Sequence, residues 1–291
     1  MNDYLLSVLL GIIEGLTEFL PVSSTAHLRI AEDFFNVSLT SGYWKMFSIV
    51  IQLGAILCLP IYFRRRIAEF FSTFPRGKQG DRTWLTHPVS LTAIAFVCTA
   101  APSFLLTKVI GENLENLYVM AGSLVAGGIV MWIVDVMYAR QAFSTPQNRT
   151  EDIDKMSLPQ SIWIGLCQVL SAVFPGTSRS MATIAAGQVA RMSRTAALEF
   201  SFFLSMPTMI AATGYTLFKA IRHGEAGSAI GAAPTSSNGW ILLAIGFTVS
   251  FIVAYAVVAW FMRWVRTRGF VPFAVYRIVF GLVVLWWAMR G

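Results

Sequence analysis

The chain alternates long apolar stretches with short polar loops. Six of the apolar stretches are long enough to cross the roughly 30 Å hydrocarbon core of a bilayer as helices. This pattern predicts an all-α polytopic membrane protein with six transmembrane helices. The predicted spans are residues 46–63, 89–109, 117–138, 198–218, 240–262 and 271–289.

Two further apolar segments are interrupted by proline. The segments Gly11–His27 and Gly165–Ser180 each begin as an apolar helical run, break at proline and small hydroxyl residues, and continue into a shorter arm. This is the pattern of a re-entrant helical hairpin. The two segments align at an offset of 154 residues, which indicates an internal duplication. The aligned pairs are Glu14 with Gln168, Pro21 with Pro175, and Ser24 with Ser178.

Three predicted spans lie between the two hairpins, so the hairpins should enter the membrane from opposite sides. The prediction is a single membrane domain over residues 1–291, with a first repeat at 1–138, a linker at 139–156 and a second, inverted repeat at 157–291. Hairpin tips that enter from opposite sides can meet at depth, where non-helical backbone requires a protein-enclosed or watery cavity. The functional site is expected where the tips meet.

Composition supports a membrane protein and argues against a nucleic-acid partner. Hydrophobic residues make up 56% of the chain and charged residues only 13%, which is too apolar for a soluble fold of this size. The net charge of +7 comes largely from short loops beside apolar spans, as the positive-inside rule describes. The basic clusters at 64–82 and 263–268 are therefore predicted to be cytoplasmic, which places the first hairpin on the outer side.

Glu14 and Glu18 are two carboxylates within an apolar segment. Residues four apart share one face of a helix, with Cβ atoms about 6 Å apart. A carboxylate at bilayer depth costs roughly 2.5–3.5 kcal/mol even on lenient scales, so the pair needs a cation or a proton. A divalent ion such as Mg²⁺ or Ca²⁺, which takes oxygen ligands, would satisfy both. The alternative is a pair near the interface that hydrogen-bonds its neighbours.

The second tip has the composition of a phosphate site. Gly176 supplies a flexible turn, Thr177, Ser178 and Ser180 supply hydroxyls, and Arg179 supplies a guanidinium that can grip phosphate oxygens. An ordinary loop could have the same sequence. The position of Arg179 between two apolar arms favours an anionic ligand, because a cation there would be costly alone.

The first tip carries Ser23, Ser24, Thr25 and His27. A serine could act as nucleophile, with His27 as base or acid. Equally, the serines could be helix caps and His27 an interfacial histidine. The spacing leaves both interpretations open.

Other features of the predicted spans have simpler explanations. Four polar residues are interhelical hydrogen-bond or ion-pair partners, interfacial residues, or substrate contacts. Three glycines indicate close helix packing. The polar residues are Gln52, Asp135, Glu199 and Arg277, and the glycines are Gly122, Gly127 and Gly128.

The two tip segments together resemble a known family. Glu14–His27 and Pro175–Ser180 are similar to the two signature motifs of the undecaprenyl-diphosphatase family linked to bacitracin resistance. The resemblance covers nearly the whole chain and extends to Val50–Gly54, Glu199–Phe202 and Phe273–Arg277. One position departs: the family usually has glycine after the last serine of the second motif, and this chain has Met181. Because glycine permits close backbone approach, the path of this return arm is not carried over.

The resemblance implies a multi-pass enzyme of the bacterial inner (plasma) membrane, with an active site open to the periplasm. It implies hydrolysis of undecaprenyl diphosphate to undecaprenyl phosphate and inorganic phosphate, which recycles the cell-wall lipid carrier. It also implies a divalent cation, Mg²⁺ or Ca²⁺, and an indirect link to bacitracin through the shared substrate. By position, the expected catalytic residues are Glu14, Glu18, Ser24, His27 and Arg179, with Glu14 and Glu18 also as metal ligands. The expected substrate-binding residues are Thr25, Gly176, Thr177, Ser178 and Ser180.

The hypothetical mechanism has the metal bridging Glu14, Glu18 and phosphate oxygens, while Arg179 neutralises developing charge. The nucleophile is Ser24 or an activated water, and the resemblance favours Ser24. The alternative function is a secondary transporter or lipid flippase, because inverted repeats with broken helices are also typical of transporters. The expected partners are the polyprenyl diphosphate lipid and the bilayer, and a homodimer is left open.

Overall fold

The computed structural model describes residues 2–38, 42–113, 116–144, 149–222, 234 and 236–290. Most of these residues are helical, and within them the only β-type pairing is an isolated bridge between Thr150 and Met192. A short 3-10 turn covers Ile153–Lys155. The α-helices of the described ranges are α1 Asp3–Thr17, α2 Ser24–Phe35, α3 Gly42–Tyr62, α4 Arg64–Thr73, α5 Pro88–Leu105, α6 Thr107–Asn113, α7 Leu117–Ser144, α8 Leu158–Val173, α9 Arg179–Val189, α10 Arg194–Arg222, α11 Ser237–Thr267 and α12 Val271–Ala288.

Six helices, α3, α5, α7, α10, α11 and α12, are long and apolar enough to cross a membrane. The prediction of an all-α protein with six spans is confirmed. Helix α7 continues to Ser144, past the predicted end at residue 138, because polar residues with good helix propensity extend it beyond the apolar run. Residues 145–148 of the predicted linker lie outside the described residues.

Four shorter helices flank the two proline-containing breaks. Helices α1 and α8 have 15 and 16 residues, and α2 and α9 have 12 and 11. Each is shorter than the about 20 residues that a span requires. The chain therefore has two broken-helix segments, α1–α2 and α8–α9, in the positions that the sequence predicts.

The described residues form two compact units, each assembled from separate parts of the chain. The predicted repeats, 1–138 and 157–291, follow the duplicated motifs and stay a prediction. The first unit draws on Met1–Phe19, Ser24–Tyr62 and Met206–Ala259, and the second on Leu20–Ser23, Phe63–Ser205 and Trp260–Gly291.

In the first unit, α1, α3 and α11 approach closely through small residues. A Cβ atom added to Gly15 would lie 2.7 Å from the Ser250 carbonyl oxygen, so only glycine fits there. The Ser250 hydroxyl donates to the carbonyl of Ile51 (2.7 Å), and the Ser7 hydroxyl donates to the carbonyl of Leu242 (2.7 Å). Small side chains and hydroxyl-to-backbone bonds are typical of helix packing in membranes.

In the second unit, glycines again set the helix spacing, but not all of those predicted. A Cβ at Gly128 would lie 2.9 Å from the Ala274 carbonyl oxygen, which explains the tight α7–α12 contact. A Cβ at Gly165 would lie 2.8 Å from Ala95 Cα, at the α5–α8 contact. The prediction for Gly122 is wrong, because a Cβ there would meet nothing within 4 Å.

Two of the polar span residues prove to be interhelical partners. Glu199 on α10 accepts from Arg66 Nε at 3.2 Å. Arg66 also binds Asp152 (2.5 Å) and Asp154 (2.9 Å). Burial alone would lower the pKa of Arg66, but Glu199, Asp152 and Asp154 together raise it above its ordinary value. Arg66 is therefore a fixed positive centre that fastens the loop carrying Asp152 to α10.

Asp135 is a fully buried carboxylate on α7 with donors from three other segments. Its Oδ1 accepts from Arg194 Nε (2.7 Å) and Gln188 Nε2 (3.0 Å), and its Oδ2 accepts from the Phe270 backbone N–H (2.8 Å). The carboxylate therefore ties α9, α10 and the start of α12 to α7.

Asp135→Leu should strongly destabilise the protein, because Arg194, Gln188 and the Phe270 N–H would lose their buried acceptor. Removing one partner of a buried pair costs about 3–5 kcal/mol, so we expect Tm in detergent to fall by roughly 5–10 °C. Asp81→Asn is the matched control, because that carboxylate is 58% exposed and lies 4.0 Å from Arg82. Equal Tm values for Asp135→Leu and Asp81→Asn would contradict this role.

His87 caps the N-terminus of α5 in its neutral form. Its Nδ1 accepts from the Val89 backbone N–H at 3.2 Å, which only an unprotonated nitrogen can do. Burial lowers the pKa of His87 below its ordinary 6.5, with Asp154 opposing the shift and Arg82 adding to it. The folded protein therefore holds this imidazole neutral under conditions where an unfolded chain would protonate it.

Because the unfolded chain binds the proton first, the stabilisation from His87 is complete above pH 6.5 and is lost as pH falls toward the lower folded pKa. We expect Tm to drop as pH is lowered from about 7.5 to about 5.5. His87→Asn keeps a capping acceptor without a titrating group and should flatten that slope. An unchanged slope in the variant would show that His87 is not the titrating group.

Candidate active site

The acidic arm, α1 with Glu18, places two carboxylates one helical turn apart. Glu14 is fully buried and Glu18 is 8% exposed. Glu18 keeps helical dihedral angles after the end of α1, and its backbone N–H donates to the Glu14 carbonyl at 3.0 Å. The two side chains therefore lie on the same helical face, as the spacing predicts.

A serine hydroxyl donates a hydrogen bond to one of these carboxylates. Ser24 Oγ donates to Glu18 Oε2 at 2.6 Å. Ser24 opens α2, and the residue before it, Ser23, has a left-handed backbone (φ 73°) that turns the chain between the two helices. A carboxylate that accepts from a hydroxyl can take its proton during nucleophilic attack. The half-buried His27 lies three residues further on, on the same face of α2.

The second tip turns through two residues with positive φ. Gly176 (φ 94°) and Ser178 (φ 68°) reverse the chain, and α9 begins at Arg179. The Ser178 hydroxyl caps the helix by accepting from the Met181 N–H at 3.4 Å, and it lies 3.0 Å from the Ser180 hydroxyl. The half-buried Arg179 thus stands in the first turn of a helix, where backbone N–H groups and the helix dipole favour anions.

The two tips contact each other directly within the second unit, to which Leu20–Ser23 also belongs. The Ser180 hydroxyl donates to the Leu20 carbonyl at 2.9 Å. The Arg277 guanidinium on α12 donates through Nη1 to the Pro21 carbonyl (3.0 Å) and through Nη2 to the Gly176 carbonyl (2.9 Å). One side chain therefore binds the backbone of both motifs.

The positive-φ serines of the two breaks lie at an offset one residue larger than that of the sequence alignment. The sequence offset of 154 pairs Ser24 with Ser178. Ser23 and Ser178 each have a positive φ and each directly precedes a short helix, at an offset of 155 (178 − 23). By backbone position, Ser24 then corresponds to Arg179 rather than to a serine.

The structure distributes the predicted site residues as follows. Glu18 and Ser24 are hydrogen-bonded to each other, and the hydroxyls of Ser178 and Ser180 lie 3.0 Å apart. The side chain of Thr25 is exposed. The catalytic and binding roles stay predictions. Glu14, Glu18, Ser24, Thr25 and His27 belong to the first unit, and Gly176, Thr177, Ser178, Arg179 and Ser180 belong to the second.

The sequence predicted Arg277 as an interhelical partner or a substrate contact, and its hydrogen bond to the Ser123 carbonyl on α7 agrees with the first. Its contacts with both tips were not predicted. The sequence feature that pointed to Arg277 was the presence of an arginine in an apolar span. Its partners are backbone carbonyls, and no side-chain pattern reveals those.

The acidic arm has the donor chemistry for a hard divalent cation. Within the described ranges no group of three or more His, Cys, Asp or Glu side chains could hold a metal ion. Glu14 and Glu18 nevertheless offer buried carboxylate oxygens one turn apart. Mg²⁺ sites commonly use one or two carboxylates and complete their coordination with water and phosphate oxygens, so these two residues fit such an ion.

Six membrane-spanning helices, together with two broken-helix segments whose tips contact each other, define a multi-pass α-helical membrane protein of the broken-helix type. The sequence profile described as Bacitracin resistance protein BacA matches residues 7–283. The chain belongs to this BacA family.

Relatives of this family match the chain over nearly its full length. An undecaprenyl-diphosphatase of Koribacter versatilis is 68% identical over 291 residues, covering 100% of both chains. One from Caldanaerobacter subterraneus is 38% identical over 277 residues, 95% of this chain and 93% of that protein. One from Rhizobium etli is 38% identical over 290 residues, 99% of this chain and 98% of that protein.

Gly176→Ala should destabilise the second tip for two reasons. Its positive φ disfavours a side chain, and an added Cβ would collide with the Met120 carbonyl oxygen. Strain and overpacking together predict a loss of about 2–4 kcal/mol, visible as a lower Tm in detergent.

Gly80→Ala separates these two causes. Gly80 has a similar φ of 71° but nothing within 4 Å of an added Cβ, so it should lose about 1 kcal/mol at most. Equal Tm losses in the two variants would show that contact with Met120 does not matter.

Proposed function

We propose that this protein hydrolyses undecaprenyl diphosphate to undecaprenyl phosphate and inorganic phosphate, and so recycles the cell-wall lipid carrier. The observation that carries the proposal is the direct contact between the tips of the two signature motifs, through Ser180 and Arg277. The relatives that match nearly the whole chain bear the name Undecaprenyl-diphosphatase.

The second tip is proposed to bind the diphosphate. Arg179 can donate in a fork to phosphate oxygens, and the first turn of α9 presents backbone N–H groups. The hydroxyls of Thr177 and Ser178 add neutral donors. During phosphoryl transfer, charge develops on the phosphoryl and leaving-group oxygens, and a fixed guanidinium stabilises that charge.

Ser24 is proposed as the nucleophile, supported by its 2.6 Å hydrogen bond to Glu18. Ser24 Oγ attacks the terminal phosphorus as Glu18 accepts the hydroxyl proton, and the bond from that phosphorus to the bridging oxygen breaks. Undecaprenyl phosphate leaves, and a water then attacks the phosphoserine phosphorus while His27 accepts a proton of the water. The bond from phosphorus to Ser24 Oγ breaks, and Glu18 returns its proton to that oxygen. Direct attack by water, activated by the same Glu18 and His27, is the second route.

Glu14 and Glu18 would hold the divalent ion proposed for the reaction. When bound there, Mg²⁺ or Ca²⁺ would offset the charge of the diphosphate and orient it. Without a cation, two carboxylates would repel an anionic substrate. Both carboxylates are buried on one helical face, which supports this assignment.

The proposed setting is the inner membrane of a bacterium, with the head-group site reached from the periplasm through re-entrant segments. The concentration of basic residues in the segments 64–82 and 263–268 supports a cytoplasmic position for both. The prenyl tail would lie along outward-facing apolar side chains, of which the spans expose many. The relatives' names do not favour the transporter or flippase alternative.

Glu18→Gln and Arg179→Ala should each lower phosphate release from undecaprenyl diphosphate by at least about 10³-fold. The first change removes the acceptor of the Ser24 proton, and the second removes the cation at the anion site. The measurement is phosphate release by purified protein in detergent, with and without Mg²⁺ or Ca²⁺. No ion gradient is supplied, so a transporter would release no phosphate.

Two exposed residues provide matched controls for these variants. Asp33→Asn on α2 and Arg76→Ala in a loop make the same kinds of charge change and should retain wild-type release. Near-normal release from Glu18→Gln or Arg179→Ala would remove that residue from the mechanism. A trapped phosphoserine at position 24 supports covalent attack, whereas ¹⁸O transfer from water without a trapped intermediate supports direct hydrolysis.

A further inference from the structure

Arg277 is an arginine in the interior of the apolar helix α12, and its side chain is fully buried. In the described part of the chain, its hydrogen-bond partners are three backbone carbonyls. Two belong to the motif tips, Pro21 (3.0 Å) and Gly176 (2.9 Å), and the third is Ser123 on α7 (3.3 Å). The guanidinium therefore fixes main chain rather than a side chain.

The fork of a guanidinium suits this task. It is planar and presents several N–H donors in fixed directions, so one group can set the distance between two acceptors. Here Nη1 binds the first tip and Nη2 binds the second. The Ser180–Leu20 hydrogen bond is a second tie between the same tips. A shift of the guanidinium would move the two motifs relative to each other.

Gly127 on α7 leaves the space that this guanidinium occupies, and we call this space the seat of Arg277. A Cβ atom added to Gly127 would lie 2.5 Å from Arg277 Nη2 and 2.6 Å from Met181 Cε. Met181 is buried on α9. In this chain, the missing side chain of Gly127 makes room for both Met181 and Arg277.

We propose that Arg277, seated on Gly127, is a positioning residue that sets the spacing of the two motif tips and thereby the geometry of the anion site. The inference rests on the proposed phosphatase function and adds a requirement to it. Arg277 itself does not touch the diphosphate. Loss of Arg277 should weaken binding of the phosphoryl oxygens by the second tip, so both kcat and the affinity for a phosphate analogue should fall.

Gly127→Ala tests the seat, and Gly122→Ala is its matched control on the same helix, since nothing lies within 4 Å of a Cβ there. We expect Gly127→Ala to lower kcat by about tenfold and to raise the inhibition constant of orthovanadate by a similar factor. Gly122→Ala should match wild type in both. A smaller folded fraction would lower kcat but leave the inhibition constant unchanged, so a change in kcat alone would overturn the proposal.

The double variant Gly127→Ala with Met181→Ala separates the two neighbours of Gly127. It removes the contact with the methionine but leaves the added methyl against Arg277 Nη2. We expect it to stay impaired. Full recovery of the inhibition constant would assign the effect to packing against Met181 and overturn the role of Arg277.

Arg277→Lys and Arg277→Met test the guanidinium directly. Lysine retains the charge and a compact donor group, so it should recover part of the orthovanadate affinity that methionine loses. If Arg277→Met is folded by thermal unfolding and binds orthovanadate as wild type does, the proposal is wrong.

Hydrogen–deuterium exchange of the full-length protein gives a readout that needs no activity. Peptides covering both tips, residues 18–26 and 174–183, should exchange faster in Gly127→Ala than in Gly122→Ala. Equal exchange would refute the inference whether or not the wild-type protein releases phosphate. A wild-type protein that releases no phosphate would refute the proposed function, while faster exchange of both tips would still support the tie.

Discussion

The structure depends on the hydrogen bonds that a buried guanidinium donates to the backbone of two interrupted helices. A helix that breaks inside an apolar environment leaves carbonyl groups without their usual N–H donors, and each unsatisfied group is costly. An arginine in an apolar span has the opposite need, because its donors require acceptors. Arg277 resolves both by donating to the carbonyls of Pro21 and Gly176. Each therefore offsets part of the desolvation cost of the other.

The spans and the breaks could be predicted from the sequence because both depend on one-dimensional patterns. Apolar length determines which helices cross a bilayer, and proline followed by small hydroxyl residues marks where α1 and α8 end. The hydrogen bond between Ser24 and Glu18 could not be predicted, since it depends on the left-handed turn at Ser23.

The glycines of α7 show why residue type alone does not determine a role. Gly122 and Gly127 lie on one helix, and both suggested close packing. One faces open space, whereas the other seats a guanidinium and a methionine. The direction in which a position faces is set by the neighbouring helices. The space beside Met181 likewise depends on a residue more than fifty positions away in the sequence, Gly127.

The partners of the buried charged side chains also determine which of these charges in the second unit are cancelled by an opposite charge and which are not. Asp135 and Arg194 bind each other, so their charges largely cancel. The partners of Arg277 are neutral carbonyls, and a guanidinium remains protonated in proteins, so its positive charge is solvated but not cancelled. That charge stands beside the tip that carries Arg179. A polar site surrounded by low-dielectric helices concentrates such a field, and the ligand that it attracts is an anion. The residue that holds the tips together thus also biases them electrostatically toward a diphosphate.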